Sequence, residues 1–234
     1  MEVLPTELKV IVASYIEDHT TLINFALSNR TYYEIVKQDE AKLSRNLCCQ
    51  KFGQDLPLAL AVLESRKLLK PRAHYGQPQP LSDATVEDII KFVDDHLTNQ
   101  SFAANTQFGL STCVKLSSFD SMVDTYSTTI ARLALENTPG DSESSMSITS
   151  TEAARFRKSL YLAELLGNLF SRDHISQSTA AAPREAAYRP AWQHLLTRFA
   201  PWELQQVRCA KDLLARHVED GKFHSFILTY PSPQ

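Results

Sequence analysis

Leu4-Pro5-Thr6-Glu7-Leu8, running on through Ile11 to Tyr15-Ile16, then Thr21-Leu22 and Ala26-Leu27-Ser28-Asn29-Arg30, is the stretch that decides how this chain reads. Leu4, Leu8, Ile11, Tyr15 and Ile16 recur at the spacing that lines one side of a helix, and Pro5 suits a first turn, where a missing N–H costs little. Glu17-Asp18-His19-Thr20-Thr21 is a polar break with capping candidates, after which Leu22, Ile23, Ala26 and Leu27 restart the helical period. Ser28-Asn29-Arg30 interrupts again. Thr31 and Glu34 have capping-box spacing, and Tyr32, Tyr33 and Val36 supply a third short apolar stripe.

Three short helices within about 35 residues cannot enclose a full core, since chains below ~40 residues rarely fold unaided. Their apolar side must be covered either by the rest of the chain, as in any helical bundle, or by another molecule. The quoted residues and their register resemble the F-box, and most closely the form found in fungal F-box domain proteins. That resemblance implies a segment docking on the Skp adaptor of a cullin-RING ubiquitin ligase while the remainder of the chain presents an unknown protein substrate. Carried onto this sequence, it makes Leu4, Pro5, Leu8, Ile11, Ile16, Leu22 and Leu27 the adaptor-binding residues, with Tyr33 and Val36 closing the patch. The family often carries a Trp late in the module, where this chain has Tyr32 and Tyr33.

Around this stretch, 234 residues with 43% hydrophobic and 22% charged content allow two packing units, and 6 Gly against 11 Pro favour helices punctuated by Pro over turn-rich sheet. The expected fold is all-α: an F-box-like module over 1–53, a connecting helix and linker over 54–80, and a helical carboxy-terminal domain over 81–234 with loops near 137–150 and 173–187. A formal net charge of -3 with mixed signs lacks the one-signed basic face that nucleic acid attracts. No apolar run reaches the ~20 residues that span a bilayer and no signal-peptide pattern opens the chain, so no membrane is expected and the location is cytoplasmic or nuclear.

Cys48, Cys49, Cys113 and Cys209 lack paired metal-ligand spacing and read as reduced, buried small hydrophobes. Asp94, Asp95 and His96 form a local acidic cluster read as a solvated helix face, with no metal or other cofactor expected.

Farther along, Leu43, Leu47, Cys48 and Phe52 form a fourth stripe that stops at Gly53, and Leu58 to Leu63 is apolar on nearly all sides, the mark of a buried helix. Pro71 to Pro80 reads as a linker. Val86, Ile89, Ile90, Val93 and Leu97 mark a further helix, Phe108 to Glu136 a long one with a kink near Ser117-Ser118, and Phe156, Leu160, Ala163, Leu166 and Phe170 a central one. Pro190 and Pro201 are each placed at a helix start, and Trp192, Phe199 and Trp202 are read as core wedges. Phe223 to Gln234 reads as an extended tail.

Catalysis would announce itself through a motif that fixes local geometry, and no nucleophile elbow, phosphate loop, metalloprotease helix or dinucleotide fingerprint is present. The expectation is a non-enzymatic adaptor. The alternative is a helical scaffold with no link to ubiquitination.

Overall fold

Asp18, Asn29 and Gly53 punctuate the first part of the chain, and each does so through a specific backbone requirement. The computed structural model describes residues 4–68, 86–98, 108–136, 148–170 and 181–219. The expected linker at Pro71 to Pro80, most of the two expected loops and the tail at Phe223 to Gln234 lie outside the described residues. Among the described residues every regular element is helical and the fold is all-α.

Helix α1 (Thr6–Ser14) starts directly after Pro5, α2 is His19–Ser28, α3 is Arg30–Gln38 and α4 is Glu40–Phe52. Asp18 caps α2: its carboxylate accepts from the Thr21 N–H at 2.7 Å, satisfying one of the donors a helix start leaves open. Hydrogen bonding by the Thr21 side chain, and then by its N–H, holds the Asp18 carboxyl below the usual carboxylate range. The cap of α3 is Asn29, whose side chain accepts from the Thr31 N–H at 2.8 Å, and not the Thr31/Glu34 box expected from spacing. Asn29 reaches this role because its backbone is extended (φ -161°, ψ 143°), which ends α2 and aims its side chain at the next helix. Gly53 closes α4 at φ +52°, a conformation that side-chain-bearing residues rarely adopt. A short 3₁₀ turn, Gly53–Asp55, then leads into α5 (Leu56–Leu68).

Two compact units account for the chain, and they interleave along it. The first comprises Met1–Ser121 and Leu165–Arg198, the second Met122–Glu164 and Phe199–Gln234. Helix faces bury wherever complementary apolar area exists, and the partners of α5 stand far downstream. Leu58, Ala59, Leu60, Ala61 and Val62 are all buried, as an all-round apolar helix requires. Within the first unit α5 packs on α4 and on a π-helical turn, Asp94–Thr98, that extends α6 (Val86–Val93). The Asn168 side-chain amide donates to Ser65 Oγ at 3.0 Å, fixing the far side of α5. The long helix α7 (Leu110–Glu136) begins in this unit, tied to α4 by the Leu110 N–H donating to Glu40 Oε1 at 2.7 Å, and it runs on without a break at Ser117-Ser118.

Helix α9 (Ala181–Leu196) packs against α6 and corrects two expectations: it starts within the loop placed over 173–187, and Pro190 lies inside it instead of at its start. The Ala-rich stretch before Pro190 has the best intrinsic helix propensity, so the helix tolerates the one missing donor.

Among the described residues of the second unit the buried apolar positions are Val123, Ile130 and Ala131 of α7, Leu160, Tyr161 and Leu162 of α8 (Ser150–Leu169), and Val207 and Ala210 of α10 (Pro201–Glu219). Pro201 opens α10 as expected. Helix α8 is set by a capping box that the Thr149-x-x-Glu152 spacing encodes. The Thr149 N–H donates to Glu152 Oε2 at 2.9 Å, and the Glu152 N–H donates back to Thr149 Oγ1 at 3.2 Å.

Candidate functional site

Helix α1 turns Lys9 and Ala13 inward and its large apolar side chains outward. Its buried residues are Lys9 and Ala13, whereas Leu8, Ile11 and Tyr15 are 45%, 49% and 78% exposed and Leu4 and Val12 are also exposed. Leu8, Ile11 and Tyr15 stand at i, i+3 and i+7, so they share one face of the helix. Burying an aliphatic or aromatic side chain contributes roughly 1.5–3 kcal/mol. A helix shaped only for its own interior would turn that face inward.

The inner side of α1 is held by Tyr32 of α3. The Tyr32 ring stacks on Phe25 of α2, with centroids 4.4 Å apart, and the Lys9 ammonium lies 5.7 Å from the Tyr32 ring centre. Leu22, fully inaccessible, lies with Ala26, Ile35 and Val36 inside the module, and Leu43 and Leu47 of α4 are buried as well. Outward, Leu27 at the end of α2 is 73% exposed, and Tyr33 is exposed with the Lys37 ammonium 5.8 Å from its ring centre.

The candidate residues therefore divide. Leu4, Pro5, Leu8, Ile11, Leu27 and Tyr33 are exposed, and Ile16 is half-buried. Leu22 and Val36 are interior, where they support the face from beneath without presenting surface of their own. Val12, which the periodic reading passed over, belongs to the exposed group, since the outward arc of α1 is wider than one stripe.

A second polar constellation lies in the first unit. Asp94 Oδ1 accepts from Arg198 at 2.9 Å and pairs with His194 Nε2 at 2.8 Å, and the Asp94 carboxyl is held below its ordinary range first by that histidine and then by the Arg198 charge. His96 turns away from it: its Nδ1 meets the Phe92 carbonyl at 2.9 Å and its ring stacks on Phe92. Among the described residues no group of three or more His, Cys, Asp or Glu side chains could hold a metal ion. Trp192 and Trp202 are both exposed, which corrects their reading as core wedges; Trp192 packs one edge on Phe170, with centroids 4.6 Å apart.

The cysteines divide too. Cys48 and Cys113 are buried, as expected, but Cys49 and Cys209 are exposed. Among the described residues no helix is long and apolar enough to cross a membrane. No family model, curated protein or solved structure matches this chain.

Proposed function

We propose that the chain is the substrate-recruiting subunit of a Skp/cullin/F-box type ubiquitin ligase, a protein–protein adaptor in which the outward face of α1, together with Leu27 and Tyr33, seats a Skp-type partner. The observation that carries this reading is the inverted burial of α1, with Lys9 and Ala13 inside and Leu8, Ile11 and Tyr15 outside. Added to it is the F-box-like register of Leu4-Pro5-x-Glu7-Leu8, Thr21-Leu22 and Leu27-Ser28-Asn29-Arg30. An apolar ridge of this kind offers central anchors for an interface of ordinary size, ~1,600 Å² of total buried area.

The test is co-purification of the full chain with a Skp-type adaptor. Wild-type chain retains the adaptor and Leu8→Asp loses it at unchanged helical content. Absence of binding by the wild type, or equal binding by the variant, overturns the proposal.

A further inference from the structure

Cys48 of α4 and Cys113 of α7 are 65 residues apart in sequence, yet their sulfur atoms lie 3.1 Å apart inside the first unit. Both are free thiols and both are almost completely buried. The Cys113 thiol also donates to the Ser44 carbonyl at 3.0 Å, which leaves the Cys48 thiol to donate to the Cys113 sulfur. The Ser44 hydroxyl is fully inaccessible and has no hydrogen-bond partner among the described residues. A buried hydroxyl left so is costly, and a negatively charged sulfur beside it is the acceptor it lacks.

The pair is not sealed. A cavity of ≈ 20 Å³ reaches both cysteines and is lined also by Glu17, Asp18, His19, Lys51, Phe52 and Ser117. That room exceeds the ~10–15 Å³ that one water needs, so a molecule of the size of hydrogen peroxide can approach while a bulky thiol cannot. The Lys51 side chain brings a positive charge to its edge, in an ion pair with Asp120 at 3.4 Å.

We infer that Cys48 and Cys113 form a peroxide-reactive dithiol site, in which Cys113 is the attacking thiol and Cys48 the resolving one. The direction of attack follows from the hydrogen bonds. The Cys48 thiol holds Cys113 below the ordinary thiol range against the opposing effect of burial. The same bond, followed by burial, drives Cys48 far above it. Thiolate character decides which sulfur attacks.

In the first step the Cys113 sulfur attacks one peroxide oxygen, the O–O bond breaks, and the departing oxygen takes the thiol proton and leaves as water. Cys113 is then a sulfenic acid. In the second step the Cys48 sulfur attacks the Cys113 sulfur, the S–O bond breaks, and the hydroxyl leaves as water with the Cys48 proton. Two thiols and one peroxide thus give one disulfide and two waters: the sulfurs are oxidised and the peroxide oxygens reduced. This inference is independent of the adaptor reading.

The experiment treats the reduced full chain with stoichiometric hydrogen peroxide, traps remaining thiols, and maps peptides with and without dithiothreitol. The expected result is loss of two thiols and two hydrogens per chain, a reducible Cys48–Cys113 cross-link, and unmodified Cys49 and Cys209. In Cys48→Ser the reaction stops at Cys113 sulfenic acid, captured by dimedone present while the chain is unfolded after the peroxide is removed; in Cys113→Ser no cross-link forms and Cys48 remains a thiol. Oxidation confined to the exposed Cys49 and Cys209, with Cys48 and Cys113 still reduced in the folded wild type, overturns the inference. So does dimedone capture at Cys48 in place of Cys113. The wild-type map decides the matter even where a variant fails to fold.

Discussion

The ammonium of Lys9 stands 5.7 Å from the centre of the Tyr32 ring, on the buried side of α1, while its neighbour Leu8 faces outward. A lysine on the inside of a helix and a leucine on its outside reverse the usual distribution. Lys9 is accommodated because its methylene stem packs as an apolar chain and its charge meets the negative face of an aromatic ring, an attraction of about 0.5–2 kcal/mol. Helix α1 is thus held in place while Leu8, Ile11 and Tyr15 stay exposed.

Leu8→Asp separates binding from folding. Leu8 is half exposed in the free chain, so the substitution leaves global stability within about 0.5 kcal/mol, as urea unfolding will show. Adaptor affinity falls by at least about 2 kcal/mol, roughly thirtyfold, in a titration of the purified chains.

Leu22→Ala and Leu27→Ala, five residues apart on the same helix, differ in stability. The inaccessible Leu22 leaves a cavity and costs about 2–5 kcal/mol, whereas Leu27, 73% exposed, changes stability by less than about 0.5 kcal/mol. Equal denaturation midpoints for the two variants would contradict the packing described for α2.

Asn29→Ala removes the side-chain acceptor of the Thr31 N–H and costs about 1 kcal/mol. Thr31→Ala leaves that bond to the backbone N–H intact and has a smaller effect in the same thermal melt.

The second unit carries an acid-sensitive ion pair. Burial pushes the Glu203 carboxyl up, but the Lys158 ammonium and the Ala200 N–H outweigh it and leave the group below its ordinary 4.5. A lowered folded-state value means the stabilisation is present above about pH 4.5 and disappears as the pH falls through the lowered one. With Lys158 44% exposed, screening limits the contribution to about 0.5–1 kcal/mol. Glu203→Gln should therefore lower the melting temperature at pH 7, and the difference from wild type should shrink as the pH falls below about 4.5 through the lowered folded-state value.

What could be read from the sequence was what is local. The apolar period placed α1 through α5, Gly53 marked the end of α4, and the all-round apolar Leu58 to Leu63 marked a buried helix, because each depends on neighbours within a few residues. Asn29 displaced Thr31 as a cap because the α2–α3 break is a single extended residue, a tightness that spacing alone does not reveal. Pro190 was misplaced because the alanines before it outweigh one lost donor. The outward face of α1 was legible as a stripe but not as a surface: periodicity says which residues share a face, and only packing says what lies opposite. The Cys48–Cys113 contact joins residues 65 apart and left no signal in the order of residues.

Helix α5 is apolar all round from Leu58 to Leu63, and Ser65 waits for Asn168, 103 residues later, to complete its surroundings. On a ribosome adding roughly 5–20 residues per second, that interval is on the order of ten seconds. During it the nascent chain displays the apolar run Leu58 to Leu63 before the Asn168 side of its surroundings exists. Biosynthesis of this protein is accordingly a problem of timing, and its yield in cells should depend on holdase chaperones that occupy α5 until α8 is translated.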